Sequence, residues 1–399
     1  MNDSKLNKNY PKNEFQRKMS GTERRFLRMP NANVVMSAKI KGLVSQEQLK
    51  SAIFKVRQKH FVLGVRVSLD DDSVGYFTQE NVPEIPIEVM PRLTEEDWIQ
   101  ATTEELKRAF SIEIGPLIRF LLLQSPEVSD LIVTAHHSIC DGRSLVYLIR
   151  DIMVFLSNST RDVEIPIVIP AAIQDCIPSS AKPGFFYRLI VKRINQKWMR
   201  KKISFNEKDY QELHQIFWQK NKVSVLIWEL TESQTTNLVS RCHQEQVTVN
   251  CALYAAFLAA QNHIQGDSQG YLHNIMVPVD FRSRLTQPVG EAIGFYASGV
   301  MFRLKHNPKK SFWDMARIID KRIKQKLTDK NIFQGQRLNL LSPSLMDGLL
   351  FAKYGKLKDK MALNLLKKKG LDKLFAGTII SNLGKLDIPV NYGNWCLKA

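Results

Sequence analysis

The pattern of apolar and polar positions divides the chain into short strands and helices that alternate along its length. From Asn33 onward, Val34, Val35, Met36, Ala38 and Ile40 predict a strand, and Ser45 then N-caps a helix carrying Leu49, Ile53 and Val56. Val62 to Val67, Val74 to Thr78 and Ile85 to Met90 predict three further short strands. The acidic turn Glu95, Glu96 and Asp97, after Thr94, opens a helix reaching Phe110. Leu117 to Leu123 predicts a strand leading into Leu131, Ile132, Val133, Thr134 and Ala135, a β-rich run of the kind a buried central strand needs. Beyond Gly142, Leu145, Leu148, Ile149, Ile152, Phe155 and Leu156 recur at helical spacing. This part of the chain reads as strands and helices around one sheet, an α/β sandwich.

Between residues 157 and 185 the pattern dissolves, because Pro166, Pro170, Pro178, Pro183 and a serine pair break helices and mark a crossover. A basic amphipathic stretch follows over 186–202, with Phe186, Leu189, Ile190, Ile194 and Trp198 on one stripe. Packing against the body of the protein explains that stripe, and a membrane-surface helix is the other reading. The alternation then restarts: Val223 to Leu230 predicts a strand, Thr231 an N-cap, Thr248 the start of an apolar helix through Ala260, and His273 the start of a strand. The expected division is a loosely packed tail over 1–20, an N-terminal subdomain over 21–160, a crossover with the basic helix over 161–205, and a C-terminal subdomain over 206–399.

The candidate chemistry sits where the central strand runs out into HHSICDG, residues 136–142. Alternate strand residues face opposite ways, so His137 shares a face with Leu131, Val133 and Ala135 while His136 points to the other side. The two imidazoles therefore have different jobs. An imidazole titrates near neutral pH, so one held at a cleft can take the proton from a hydroxyl or amine as it attacks a carbonyl. Asp141 is better placed to hold the loop through an arginine than to relay a proton. Gly142 is expected to take a turn conformation closed to other residues.

HHSICDG resembles the H-H-x-x-x-D-G signature of the CoA-dependent acyltransferase superfamily, which includes condensation domains, chloramphenicol acetyltransferase, BAHD enzymes, and polyketide-associated and alcohol acyltransferases. The resemblance implies two chloramphenicol-acetyltransferase-like α/β sandwich subdomains in pseudo-twofold arrangement with an interdomain channel. It makes His137 the general base and Asp141 a structural residue, with His136 and Gly142 shaping the same loop. VPVDFRSRL (277–285) resembles the family's arginine motif. An arginine can hold a buried carboxylate through two parallel hydrogen bonds, so Arg282 is expected to partner Asp141, with Arg284 second. AIGFYASGV (292–300) matches the following I-G-F segment. GTIISNLGKL (377–386) resembles the family's S-N-x-G strand, which lines the channel opposite the histidine, so Ser381 or Asn382 is expected to bind the thioester carbonyl or the pantetheine amides. His60, in KHFVLGVRV, is read as structural. The BAHD D-F-G-W-G motif is absent, and the chain ends 15 residues after Gly384 (399 − 384), where relatives usually continue.

Composition narrows the partners. The 57 Lys and Arg against 39 Asp and Glu give +18. Such a surface suits acidic partners, whether CoA phosphates or an acidic acyl or peptidyl carrier protein, and membrane-surface contact is open. No zinc-finger, RNP or helix-turn-helix signature supports nucleic-acid binding. The five scattered cysteines lack a CxxC pair and read as reduced thiols, Cys140 as a loop filler rather than a nucleophile. No apolar run approaches the roughly 20 residues that span a bilayer, and the N-terminus lacks a signal-peptide core, so a cytoplasmic location is expected.

The reading is a free-standing acyltransferase moving an acyl group from a CoA or phosphopantetheine thioester to a hydroxyl, with no bound cofactor and no metal. Amide formation with an amine is the alternative. A docking protein of the same fold, and a metal site at His136, His137 and Asp141, are the rivals from other classes.

Overall fold

The computed structural model describes residues 16–163, 173–265, 273–369 and 377–398. The chain opens with β1 (Gln16–Lys18) and α1 (Gly21–Phe26), followed by β2 (Asn33–Lys41), α2 (Gln46–Lys59), β3 (Arg66–Leu69), β4 (Gly75–Thr78) and β5 (Ile87–Pro91). Then come α3 (Asp97–Glu105), β6 (Ile118–Gln124), β7 (Val128–His136) and α4 (Gly142–Ser157). Beyond the crossover lie α5 (Phe185–Met199), α6 (Glu207–Lys220), α7 (Glu232–Gln244), α8 (Val249–Gln265), β8 (Asn274–Asp280) and β9 (Ala297–Arg303). α9 (Phe312–Lys326), α10 (Asp329–Ile332), α11 (Pro343–Lys353), α12 (Lys360–Lys369), β10 (Gly377–Ile379), β11 (Asn391–Tyr392) and β12 (Trp395–Lys398) complete it.

The main sheet has the order β11-β12-β2-β7-β6-β5, and β7 lies inside it, antiparallel to both neighbours. Leu131, Val133 and Ala135 on one face of β7 pack with Leu49, Ile53 and Val56 of α2 and Leu145, Leu148 and Ile152 of α4. Ile132, on the other face, packs with Leu121, Leu123, Trp98 and Ala101, which places α3 over that side. Covered on both faces, β7 carries a continuous apolar run rather than an alternating one. α2 begins as expected at Ser45, whose side chain accepts from the Gln48 amide in a capping box. A second core is built by α8, β8 and α9 around Ala252, Leu258, Ile275, Val277, Met315 and Ile319. The β10-β8-β9 sheet belongs to it.

Several expectations need correction. Residues 16–20 are not a loose tail: β1 pairs with β4, and Ser20 caps α1 in a capping box with Glu23. Arg17, Ser20, Glu23 and Arg24 are polar yet buried, because each is paired; Arg17 bonds Glu23 at 2.7 Å and Arg24 bonds Asp347 at 2.9 and 2.6 Å. The division at residue 206 is crossed from both ends. α1 packs against α11 through the Arg24–Asp347 pair, while β12 joins the N-terminal sheet with Cys396 opposite Lys41. Residues 61–64 form a 3-10 turn before β3 rather than one continuous strand. The helix expected from Thr94 to Phe110 is the shorter α3, with Thr94 before it bonding the Asp97 side chain of its first turn. The crossover prolines Pro166 and Pro170 lie outside the described residues.

Among the described residues Val223 to Leu230 has no ladder partner, although its residues have strand propensity. A strand is stabilised by the chain it pairs with, and here Leu226 is 86% and Trp228 62% exposed.

Candidate active site

β7 ends at His136, and the following turn places the two imidazoles on opposite sides. The His136 amide still bonds the Leu117 carbonyl, and the His137 amide bonds the Ala32 carbonyl at 2.7 Å. His136 is buried. Its Nδ1 accepts from the Ser138 amide at 3.3 Å and lies 2.7 Å from the Ser138 hydroxyl, and the ring packs edge-on to Phe110. Burial first, then the charges of His137 and Arg28, push its pKa down to about 3, so His136 is a neutral structural group.

His137 keeps part of its surface open to solvent. Its Nδ1 lies 2.7 Å from the Cys140 carbonyl, which can only accept, so Nδ1 carries the proton and Nε2 is left as the basic nitrogen. Phe26 lies 4.5 Å away between ring centroids and Phe295 meets the ring edge-on at 5.1 Å. The His137 ring is thus flanked by α1 and by the segment before β9. Desolvation lowers the His137 pKa, against the Cys140 bond and Asp141, and the Arg25 charge lowers it further. Arg25 is exposed, with its guanidinium 4.7 Å from the Phe26 ring centroid, and no carboxylate pairs with it among the described residues.

Asp141 is the N-cap of α4. One carboxylate oxygen accepts from the Ser144 amide at 2.8 Å and the other from the Tyr296 amide at 2.9 Å. Arg282 faces the same carboxylate with nitrogens at 3.0 and 3.1 Å, as expected, and both side chains are buried. The second candidate, Arg284, pairs instead with Asp329 at 2.9 Å. Arg282 also donates to the Ser144 hydroxyl at 2.7 Å and lies 3.2 Å from Asp280. Ser144 in turn donates to the Gly294 carbonyl at 2.9 Å. The loop after His137 is therefore fastened to the second half of the chain by charge and backbone bonds, and the Asp141 oxygens are spent on that task rather than on the imidazole.

Gly142 does not take the unusual backbone expected of it, and a side chain there would press on Leu383. It is the first residue of α4 without a positive φ, and an added Cβ would stand 3.3 Å from Leu383. That proximity brings the SNLG segment against the HHSICDG loop. Ser381 and Asn382 are exposed beside it, and the Asn382 side chain accepts from the Gly384 amide at 2.8 Å, in a turn where Gly384 has φ +69°. No bond joins either residue to His137.

Cys140 is buried, and burial followed by the nearby Asp141 charge raises its pKa well above the usual range, so it is a thiol and not a nucleophile. His60 Nε2 donates to the Asp151 carboxylate at 2.8 Å, tying the end of α2 to α4. Among the described residues no group of three or more His, Cys, Asp or Glu side chains could hold a metal ion.

The sequence reasoning missed Phe26, Phe295, Arg25, Ser144 and Tyr296. The spacing Ser20-x-x-Glu23 was a legible capping-box signal for the helix that carries Phe26. Ser144 and Tyr296 carried no local signal, being contacts across 150 or so residues.

Two family models match the chain. One, described as Condensation domain, covers residues 7–167, and the other, described as Phthiocerol/phthiodiolone dimycocerosyl transferase C-terminus, covers residues 219–344. Both matches are consistent with the CoA-dependent acyltransferase superfamily. The chain's mixed α/β fold is that of the condensation domains, two chloramphenicol-acetyltransferase-like halves in pseudo-twofold arrangement.

Among solved structures it is similar to polyketide synthase associated protein 5 from Mycobacterium tuberculosis, with 16% identity, a TM-score of 0.54, and 83% of this chain and 77% of that one covered. The first condensation domain of the calcium-dependent antibiotic synthetase matches with 13% identity and a TM-score of 0.58, over 96% and 84% of the two chains. Nonribosomal peptide synthetase 5 of Gibberella zeae is 26% identical over 144 residues, 35% of this chain and 1% of that protein. The chain thus spans only a small part of the length of the curated relatives it matches.

Proposed function

We propose that this protein transfers an acyl group from a CoA or carrier-protein thioester to a hydroxyl acceptor, with His137 Nε2 as the general base. The observation that carries the reading is the 2.7 Å bond from His137 Nδ1 to the Cys140 carbonyl, which leaves Nε2 unprotonated on a partly exposed ring. The acceptor O–H gives its proton to Nε2 as its oxygen attacks the thioester carbonyl. The tetrahedral intermediate then collapses, the C–S bond breaks, and the leaving thiolate takes the proton back from Nε2. No acyl-enzyme forms, and the step needs neither a metal nor a bound cofactor. General-base catalysis of this kind is worth about 100- to 10,000-fold, and holding the two substrates together supplies more.

Asp141 and Arg282 keep the loop in place, His136 supports it from the opposite face, and Ser381 or Asn382 donates a hydrogen bond to the thioester carbonyl or the pantetheine amides in an interdomain channel. Packing of Leu383 on Gly142 supports that placement. An amine acceptor fits the same step with the same proton bookkeeping. The peptide-synthetase relatives favour a carrier-bound donor for that second reading. The excess of basic residues is compatible with either donor, since both are acidic.

The test offers purified protein acyl-CoA, and separately a loaded carrier protein, with alcohols and amines, and follows thiol release. Release that survives a chelator and is lost in His137→Ala is expected. Release that persists undiminished in His137→Ala would overturn the assignment of the base, and absence of release with every donor would favour a docking role.

A further inference from the structure

α5 packs by one face only. Trp198 is 1% exposed and sits in a small core with Leu345, Ala362 and Leu366, its indole N–H donating to the Ser344 hydroxyl at 3.2 Å. An added Cβ on Gly348 would collide with the Trp198 ring, so α11 presents a glycine where the indole lies against it. Asn195 bonds the Leu340 carbonyl and the Ser342 amide at 2.7 and 3.1 Å. The seat of the helix is therefore fixed, and packing against the body accounts for Val191, Ile194 and Trp198 alone.

The opposite face has a different composition. Phe185 is 69% exposed, Phe186 80%, Leu189 37% and Ile190 56%. These positions, i, i+1, i+4 and i+5, share one side of a helix with 3.6 residues per turn. Around and beyond them stand Arg188, Lys192, Arg193, Lys197 and Arg200, all exposed, and no acidic residue occurs between Phe185 and Lys202. Among the described residues no carboxylate pairs with Lys192, Arg193, Lys197 or Arg200. Lys367 and Lys368 of α12, which packs on the same small core, extend the positive charge.

We propose that α5 is a membrane-surface anchor, lying on an anionic lipid surface with Phe185, Phe186, Leu189 and Ile190 in the acyl boundary and its cations among the headgroups. Protruding apolar side chains beside unpaired cations match the two components of interfacial binding, apolar insertion and attraction to anionic lipid. A folded acidic protein matches the charge alone, since the two phenylalanines stand clear of the surface and would need a recess shaped to receive them, whereas a bilayer yields. No helix among the described residues is long and apolar enough to cross a membrane, so the contact is peripheral. This inference is independent of the catalytic assignment.

The experiment is sedimentation of the full chain with vesicles of phosphatidylcholine alone or mixed with phosphatidylglycerol, at about 0.1 M and about 0.5 M salt. Binding is expected on the mixed vesicles and to weaken at high salt. Phe185→Ser/Phe186→Ser and, separately, Lys192→Gln/Arg193→Gln/Lys197→Gln are each expected to weaken it by about tenfold or more, with unfolding temperatures unchanged because these side chains are exposed. Absence of vesicle binding, equal binding to both vesicle types, or full binding by the Phe185→Ser/Phe186→Ser protein would overturn the proposal. Capture of an acidic carrier protein in place of vesicles, lost in the triple charge variant, would overturn it in favour of protein docking.

Discussion

Arg282→Ala is the perturbation whose consequence the structure defines most closely. Asp141 is 3% exposed and receives two backbone amides and the Arg282 guanidinium. Removing the guanidinium leaves a buried carboxylate with half its partners, and breaking a buried pair from one side costs about 3–5 kcal/mol. With an unfolding entropy of about 2.1 cal/mol/K per residue, 399 residues give about 0.8 kcal/mol/K, so cooperative unfolding would move down by about 4–6 °C. Arg282→Lys restores the charge but cannot span both carboxylate oxygens and the Ser144 hydroxyl, so it should recover only part of the loss. Asp141→Asn removes the other partner. Because the residues share one interaction, the double variant should be less destabilised than the sum of the singles, by about 1–3 kcal/mol. Calorimetry on these four variants and wild type reads all of this. An Arg282→Ala protein that unfolds within a degree of wild type, or strictly additive singles, would refute the pairing as the fastening of the loop.

Other consequences are shorter to state. Ser144→Ala removes the hydroxyl that bonds Arg282 and both the carbonyl and the amide of Gly294, and should cost about 1–3 kcal/mol in denaturant unfolding. His136 is held neutral in the fold down to pH about 3, while in the unfolded chain it binds a proton below 6.5. The unfolded state therefore gains protons first, and stability present above pH 6.5 is lost as pH falls; by pH 5 this group alone removes up to about 2 kcal/mol. Urea unfolding at pH 7 and pH 5 should show a smaller difference for His136→Gln than for wild type. Arg25→Gln removes one of the influences lowering the His137 pKa, so the acidic limb of the rate profile should move to higher pH, and no movement would place Arg25 outside electrical reach of the base.

What could be read in advance follows from where each signal resides. β7, α2 and α4 were legible because their stabilising contacts are written locally, as an uninterrupted β-rich run, a capping serine and a 3.6-residue period. β1 and α1 were not, because Arg17, Glu23 and Arg24 are buried by pairing, and polarity alone reads as exposure. Val223 to Leu230 misled for the opposite reason, having strand residues without a strand to join among the described residues. The pairing of β12 with β2 joins segments more than 350 residues apart, beyond any local pattern. Within the site, the opposite orientation of the two imidazoles follows from strand geometry, and the Asp141–Arg282 pair followed from the family resemblance. The aromatic walls Phe26 and Phe295, one from each half, needed the fold.

The central claim is that His137 works through an unprotonated Nε2. Nitrogen-15 NMR of the histidine-labelled protein, titrated alongside the pH dependence of kcat/KM, addresses it most directly. The account predicts a neutral His137 protonated at Nδ1, with a pKa below 6.5 that coincides with the acidic limb of the rate. A neutral ring protonated at Nε2, or a rate that ignores the His137 titration, would contradict it.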